Sequence, residues 1–309
     1  MEGIVIKSTG SWYLVQTQER HFYNCKIRGR FKTKGIQSTN PIAVGDEVSF
    51  SKEKEDGMGV INSIHPRRNY LIRKATKLSS RSHIIASNID YAIIVISLAF
   101  PRTSSGFIDR FLITAEAYHI PSILVFNKID LNDSEIENQM NEWMEIYQKI
   151  GYNCLALSAK TGEGVDALKK LIQNKTNLFS GHSGVGKSAL INSIQPGLQL
   201  KTSIVSLSTE KGTHTTTFAE MHPLDFGGYI IDTPGIKGFG LIDFEPEEVP
   251  KYFLEFGKYA SKCKFTNCSH THEPNCAVIN AVNNSEIAQS RYNNYLAIIN
   301  DDYFSEKPY

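Results

Sequence analysis

Hydrophobic and polar positions fall into three textures along the chain. Over residues 3–8, 11–16, 21–27 and 47–51, β-branched and aromatic residues alternate partially with polar ones. Gly10, Thr39-Asn40-Pro41 and Asp56-Gly57 break the runs. Five short strands within residues 1–66 predict a small closed barrel, of the oligonucleotide-binding (OB) or the SH3-like type. From residue 84 the texture becomes α/β. Strand patterns at 90–97, 122–126, 154–157, 177–180 and 228–231 alternate with helical spacing at 107–117, 135–149, 164–173 and from about Lys187. That alternation implies a mostly parallel sheet covered by helices on both faces. Beyond residue 241 the chain turns acidic and then cysteine-containing, a third small module over 241–309. The expected architecture is therefore a barrel at 1–66, a connecting segment at 67–83, an α/β domain at 84–240 and a terminal module with helices.

Composition changes this picture modestly. A chain of 309 residues with 41% hydrophobic positions can fill two or three cores. Its five cysteines are too few for a disulfide scaffold, and three of them cluster near the C-terminus, which favours metal ligation in a reducing compartment. Met1-Glu2-Gly3-Ile4-Val5 lacks the basic start and apolar run of a signal peptide, and the longest apolar stretches, such as 91–96, are strand-sized. A monomeric cytoplasmic protein without a membrane segment is expected.

The net charge of +1 conceals an uneven distribution, since residues 1–83 hold 15 Lys/Arg against 7 Asp/Glu. Arg67, Arg68, Arg73, Lys74, Lys77 and Arg81 occur in the 67–83 segment with no acidic residue among them. Such a basic linker suits phosphates of a polyanion, as does the loop at 26–34.

Gly181-His182-Ser183-Gly184-Val185-Gly186-Lys187-Ser188 fits G-x-x-x-x-G-K-[ST], between a short apolar strand and the helix start at Ala189. The glycines let backbone N–H groups wrap phosphates, Lys187 reaches the β/γ oxygens, and Ser188 can ligate Mg²⁺. Downstream, Asp232-Thr233-Pro234-Gly235 ends an apolar strand. Asp232 is expected to hold Mg²⁺ through a water, and the Gly235 N–H to sense the γ-phosphate. Between them lies the polar segment Lys211-Gly212-Thr213-His214-Thr215-Thr216-Thr217, from which Thr216 is expected to complete the metal shell.

These features alone say purine nucleotide. The choice of base comes from Asn127-Lys128-Ile129-Asp130 and Leu157-Ser158-Ala159-Lys160, each following a strand pattern. One carboxylate, Asp130, can accept both the N1 and N2 protons of guanine; against adenine it would be buried without a partner. Asn127 can hold the other base edge and neighbouring loops, and Lys128 can lay its stem along the purine. The Ala159 N–H can meet O6, and Lys160 can cover the ring. The base-reading segments precede the phosphate loop, the reverse of the usual order, yet a permuted chain can preserve every contact.

Cys263-x4-Cys268-x-His270-x5-Cys276 supplies three thiolates and an imidazole, a ligand set for one tetrahedral structural Zn²⁺, with His272 as a rival to His270. Lys262, Lys264 and the neighbouring histidines would face phosphate.

The order and wording of these motifs resemble the ribosome small-subunit-dependent, circularly permuted GTPases (the RsgA/YjeQ family), and residues 263–278 resemble that family's zinc module closely. The barrel matches more loosely, mainly through Gly45-Asp46-Glu47-Val48, and the resemblance implies the OB type. It further implies a factor in late maturation of the 30S subunit, contacting 16S rRNA through barrel and zinc module. It assigns Ser158 to guanine and Ser183 to phosphate. Turnover would be slow until stimulated by the 30S particle, and conversion to GDP would favour release. Ile236 stands where many GTPases carry a water-orienting glutamine, so hydrolysis is expected to need help, from His214 or from the particle. A GTP-regulated RNA or large-subunit factor is the alternative.

Overall fold

The alternating N-terminal segments form five strands: β1 (Glu2–Ser8), β2 (Tyr13–Gln16), β3 (Phe22–Ile27), β4 (Glu47–Lys52) and β5 (Gly59–Ile64). In this computed structural model the residues described are 1–27, 41–53, 58–73, 83–198, 219–232 and 245–300. β1 pairs with β2, β2 with β3, β3 in parallel with β5, β5 with β4, and β4 back with β1. The pairing closes the five strands on themselves, and Val5, Tyr13, Val15, Cys25, Val48, Phe50 and Ile61 fill the interior. The barrel is of the OB type.

A buried carboxylate ties the barrel to the α/β portion of the chain. Asp46 is fully buried and accepts from the Ala43 N–H (2.8 Å), the Ser87 hydroxyl (2.6 Å) and two Arg67 nitrogens (2.6 Å each). Gly45, at φ +90°, passes so close to Ser87 that a Cβ would sit 2.2 Å from its carbonyl oxygen. Only glycine permits that approach in the left-handed region.

The segment read as a basic linker contains structure of its own. β6 (Tyr70–Arg73) pairs antiparallel with β7 (His83–Ser87). Two of its arginines are paired with carboxylates: Arg67 with Asp46, its side chain only 11% exposed, and Arg68 with Asp90 at 2.9 Å. Arg67 thus serves packing, and its charge is withdrawn from the expected phosphate surface. Lys74, Lys77 and Arg81 lie outside the described residues, as does the 26–34 loop beyond Ile27; Lys26 itself pairs with Glu53 at 2.8 Å.

The α/β portion comprises β8 (Tyr91–Ile96), α1 (Ser105–Ala117), β9 (Ser122–Phe126), α2 (Ser134–Ile150), β10 (Asn153–Ala156), α3 (Val165–Ile172), β11 (Thr176–Ser180), α4 (Lys187–Ile194), β12 (Glu220–Pro223) and β13 (Tyr229–Asp232). The strands lie in the order β10-β9-β8-β11-β13-β12, all parallel except β12. Both faces are covered, so their residues are apolar in succession and not alternately. Ile94, Ile96, Leu124 and Phe126 pack toward α1 and α2, whereas Ile93, Val95, Ile123 and Val125 pack toward α3 and α4. Ser104 caps α1 by accepting the Phe107 N–H, and Asp133 caps α2 by accepting the Ile136 N–H. At one edge β12 pairs with β1 (Lys7 opposite Glu220, side chains 2.5 Å apart), so the barrel continues the sheet.

The last module holds α5 (Leu254–Ala260), α6 (Ala277–Asn283) and α7 (Gln289–Ile299). Phe253, Phe256, Val278, Val282, Tyr295 and Ile298 form its core, which also takes in Ile113 of α1. Beside Ile113, Arg291 of α7 is bonded to Glu255 (2.7 and 3.0 Å) and to Asp109 of α1 (2.5 Å). Asp109 also accepts from Tyr147 of α2 (2.7 Å) and Asn294 of α7 (2.6 Å). All three charged groups are buried, so the module is docked through a polar joint inside an apolar seam.

Candidate active site and metal centre

The C-terminal ends of parallel strands are where open α/β sheets build their sites. β11 leads into Gly181–Gly186 and then α4, which begins at Lys187 and Ser188 and continues through Ala189. β9 leads into Asn127, β10 into Leu157 and Ser158, and Asp232 ends β13 beside β11. One rim therefore gathers the glycine loop, the segments expected to read the base and the strand end expected to hold Mg²⁺, although they are far apart in the chain. Gly181, Gly184 and Gly186 all have positive φ, and Gly186, at +95°, marks a close approach. A Cβ there would lie 2.4 Å from the Asn127 amide nitrogen.

Asn127 fastens the rim together. It is 3% exposed; its amide donates to the Val185 carbonyl (2.9 Å) and its oxygen accepts the Ala159 N–H (3.0 Å). The Ala159 N–H, expected to meet O6, is bonded to the Asn127 oxygen in this arrangement. Lys128, at φ +70°, donates to the carbonyls of Gly184 (2.6 Å) and Phe100 (2.7 Å). Burial pushes its ammonium down from the ordinary lysine range, with Asp130 opposing.

Ser158 is fully buried and donates to Asp130 Oδ1 at 2.6 Å, while its oxygen accepts the N–H groups of Lys160 (3.3 Å) and Thr161 (3.1 Å). These bonds hold the Asp130 carboxylate in one orientation. Lys160 is 3.8 Å from Oδ2 with a side chain 80% exposed, a loose contact available to move over a bound ring. His182 stacks on Phe107 at the start of α1, ring centroids 3.6 Å apart, and burial pushes its imidazole down, toward the neutral form. Thr216, His214 and Gly235, with Ile236, lie outside the described residues, as does the Asp232 side chain.

Contacts that sequence patterns do not announce are Lys128 to Phe100, Phe107 to His182, and Asp109 to Arg291. Each joins residues with no spacing relation. A charge such as Arg291 within an amphipathic stretch is the nearest available signal.

The four candidate metal ligands do converge. Cys263, Cys268 and Cys276 Sγ and one His270 nitrogen all lie within 4.8 Å of one another. Cys263 Sγ is 3.6 Å and Cys276 Sγ 3.3 Å from His270 Nδ1, and the two sulfurs are 3.9 Å apart. A tetrahedral Zn²⁺ would separate thiolates by about 3.8 Å, and thiolate from imidazole nitrogen by about 3.6 Å. The donors fit one such ion with four protein ligands. His272 instead meets the Thr271 hydroxyl at 2.7 Å and is outside the group. The loop is held from below: Glu273 accepts from Ser269 and Thr271, and Tyr292 and Tyr295 donate to the carbonyls of His270 and Ser269.

Comparison with known proteins agrees with this layout. The RsgA GTPase family model matches residues 64–242, and the model of the RsgA N-terminal domain matches residues 2–61. A Flavobacterium psychrophilum protein named small ribosomal subunit biogenesis GTPase RsgA is 52% identical over 98% of this chain and 93% of its own. A Bacteroides thetaiotaomicron protein, small ribosomal subunit biogenesis GTPase RsgA 2, is also 52% identical over 97% of each chain. The crystal structure of YjeQ from Thermotoga maritima superposes with a TM-score of 0.81 at 38% identity, covering 97% of both chains. YloQ, a circularly permuted GTPase, superposes with a TM-score of 0.76 at 30% identity over 100% of this chain and 96% of its own. Matched by that family's model over more than half its length and by these relatives nearly end to end, the chain belongs to the RsgA GTPase family of GTP-hydrolysing enzymes.

Proposed function

We propose that this protein hydrolyses GTP to GDP and phosphate in late maturation of the small ribosomal subunit. The 30S particle would accelerate turnover, and GDP would favour release. The observation that carries the pocket assignment is that Asn127 bonds both the glycine loop at Val185 and the segment at Ala159, whose neighbour Ser158 bonds Asp130. The ribosomal assignment rests on the small-subunit biogenesis role in the relatives' names.

Asp130 accepts the N1 and N2 protons of guanine, held by Ser158; Lys128 and Lys160 flank the ring. Backbone N–H groups from Gly181 to Ala189, with His182, Ser183, Gly184, Val185 and Gly186 forming the loop and Lys187 its cation, cradle the phosphates. Magnesium would be held by Ser188, Thr216 and Asp232 and would neutralise developing phosphate charge. Its fit rests on backbone placement, with α4 starting at the rim and β13 ending beside it. Water attacks the γ-phosphorus, the bond to the β,γ-bridging oxygen breaks, GDP leaves with both bonding electrons, and the water's surplus proton passes to an oxygen of the phosphate formed or to solvent. Lys187 stabilises the oxygens that gain charge, and Gly235 N–H reports the γ-phosphate. Because Ile236 can neither donate nor accept, orientation of the water falls to His214 or to a group of the particle.

Contact with 16S rRNA is assigned to the barrel and the metal module. Trp12 (48% exposed) and Phe22 (53%) present rings on the barrel. On the module, Phe265 is 40% exposed with Lys264 above its ring at 5.4 Å. Such aromatic and basic pairs suit unstacked bases. A bound Zn²⁺ would brace that loop through Cys263, Cys268, His270 and Cys276 as a structural ion. Nucleotide state would reach the RNA-facing parts through the segment after Gly235 and through β12, whose Glu220 pairs with Lys7 of the barrel.

GTP turnover with and without purified 30S particles tests the reading, alongside gradient fractionation with a GTP analogue. Strong stimulation and co-migration with 30S are expected. Equal turnover, or migration with the large subunit, would overturn it.

A further inference from the structure

α1 carries two contacts two residues apart that face different parts of the molecule. Phe107 stacks on His182 of the glycine loop, rings 3.6 Å apart and inclined by 33°. Asp109 is fully buried and receives Arg291 at 2.5 Å and Asn294 at 2.6 Å from α7 of the metal module. Two residues on a helix are separated by about 200° of rotation and 3 Å of rise, so the two side chains leave nearly opposite faces of one turn. A single hydrogen-bonded turn has no slack between them. One helical turn farther, Ile113 is embedded in the module's apolar core.

At 3.6 Å between tilted rings the loop contact leaves no free space between His182 and Phe107, and Asp109 has both oxygens engaged by directional donors, including the Tyr147 hydroxyl at 2.7 Å. Such bonds weaken steeply with misalignment, and a close-packed seam changes between discrete arrangements and does not deform smoothly. A shift of the glycine loop as it closes on phosphate therefore moves Phe107, and the same turn re-aims Asp109 against α7.

We infer that α1 is the coupling element between the nucleotide pocket and the metal module. Phe107 and Asp109 act as positioning residues for the GTPase site, Phe107 on the loop side and Asp109 on the module side. The inference rests on Gly181–Ser188 being the phosphate site. It gives the module influence over nucleotide binding without contact with nucleotide, and by reciprocity gives nucleotide influence over the module.

The test is a double-mutant cycle on the full chain, read as the dissociation rate of a fluorescent GDP chased with excess GDP. The variants are Phe107→Leu, Asn294→Ala and the pair, with zinc content and circular dichroism as checks on folding. Asn294→Ala is expected to change the rate by about threefold or more, with the effect disappearing when Phe107 is Leu. Phe107→Tyr, which keeps the ring, is expected to preserve the coupling. If Asn294→Ala folds poorly, Tyr147→Phe replaces it in the cycle, removing one bond to the same carboxylate. Asn294→Ala or its replacement having no effect, or the same effect in both backgrounds, would overturn the inference, because a merely structural residue gives additive changes. Lys187→Ala separates the two claims: if it binds GDP as well as the native chain, the phosphate-site reading itself fails.

Discussion

Replacing Arg291 with Met keeps much of the side-chain volume and removes the cation that Asp109 and Glu255 share at the α1–α7 joint. The guanidinium is 1% exposed and bonds these two buried carboxylates, while lying 4.5 Å above the Phe253 ring. Without it both carboxylates remain inside an apolar seam with that counter-ion gone. Breaking a buried pair by removing one partner costs about 3–5 kcal/mol. That cost is concentrated on docking of the module, so amide exchange in α7 is the suitable assay, with an expected acceleration of roughly 10²–10⁴-fold. The sign of its pH dependence comes from Asp109. Burial pushes its pKa up, and the Arg291 charge and hydrogen bonds from Tyr147, Asn294 and Arg291 pull it back. In the variant the guanidinium's pull is gone, so the folded value rises further above the unfolded one. A carboxyl raised in the fold favours the fold at low pH and loses that contribution as pH rises through its folded value. The defect should therefore be larger at pH 8 than at pH 5. Adding Asp109→Asn and Glu255→Gln should recover much of the loss, since neutral replacement of all members removes the stranded charges. Exchange in α7 within about threefold of the native rate at both pH values would refute the reasoning, because no desolvated charge could then be left behind.

Three further outcomes test other parts of the molecule. Asp130→Asn should weaken GTP binding by roughly 10²-fold or more and favour xanthosine nucleotides, whose C2 carbonyl can accept from the new amide, as competition titrations would show. Gly186→Ala places a Cβ 2.4 Å from the Asn127 amide at a φ of +95°. It should cost about 1–2 kcal/mol in backbone strain alone and lower nucleotide affinity by more than about tenfold, checked by denaturation and nucleotide titration. Cys276→Ser should lower zinc content below the one equivalent expected and expose the module to proteolysis, with chelation of the native protein doing the same; unchanged metal content would exclude Cys276 as a ligand.

Much of this protein is legible as sequence because its chemistry is local. The glycine loop, Asn127–Asp130, Ser158–Lys160 and the Cys-Cys-His-Cys series are short peptides in which each residue's role follows from its neighbours, whatever their order along the chain. Apolar strands at 91–96 and 122–126 likewise announce a sheet covered on both faces. The features hidden from sequence depend on residues that meet only after folding. Arg67 reads as one more charge in a basic run until Asp46, 21 residues earlier, closes on it inside the protein. Ala159 reads as a free donor until Asn127 is brought across by the pairing of β9 with β10. Asp109 and Arg291 are 182 residues apart and each looks like a solvated charge on its own helix. Local pattern therefore determined which short segments could serve a guanine nucleotide and which residues could hold a metal ion. Only the tertiary structure decided how those sites are joined, because a buried ion pair or a ring stack is favourable only when distant elements exclude water around it.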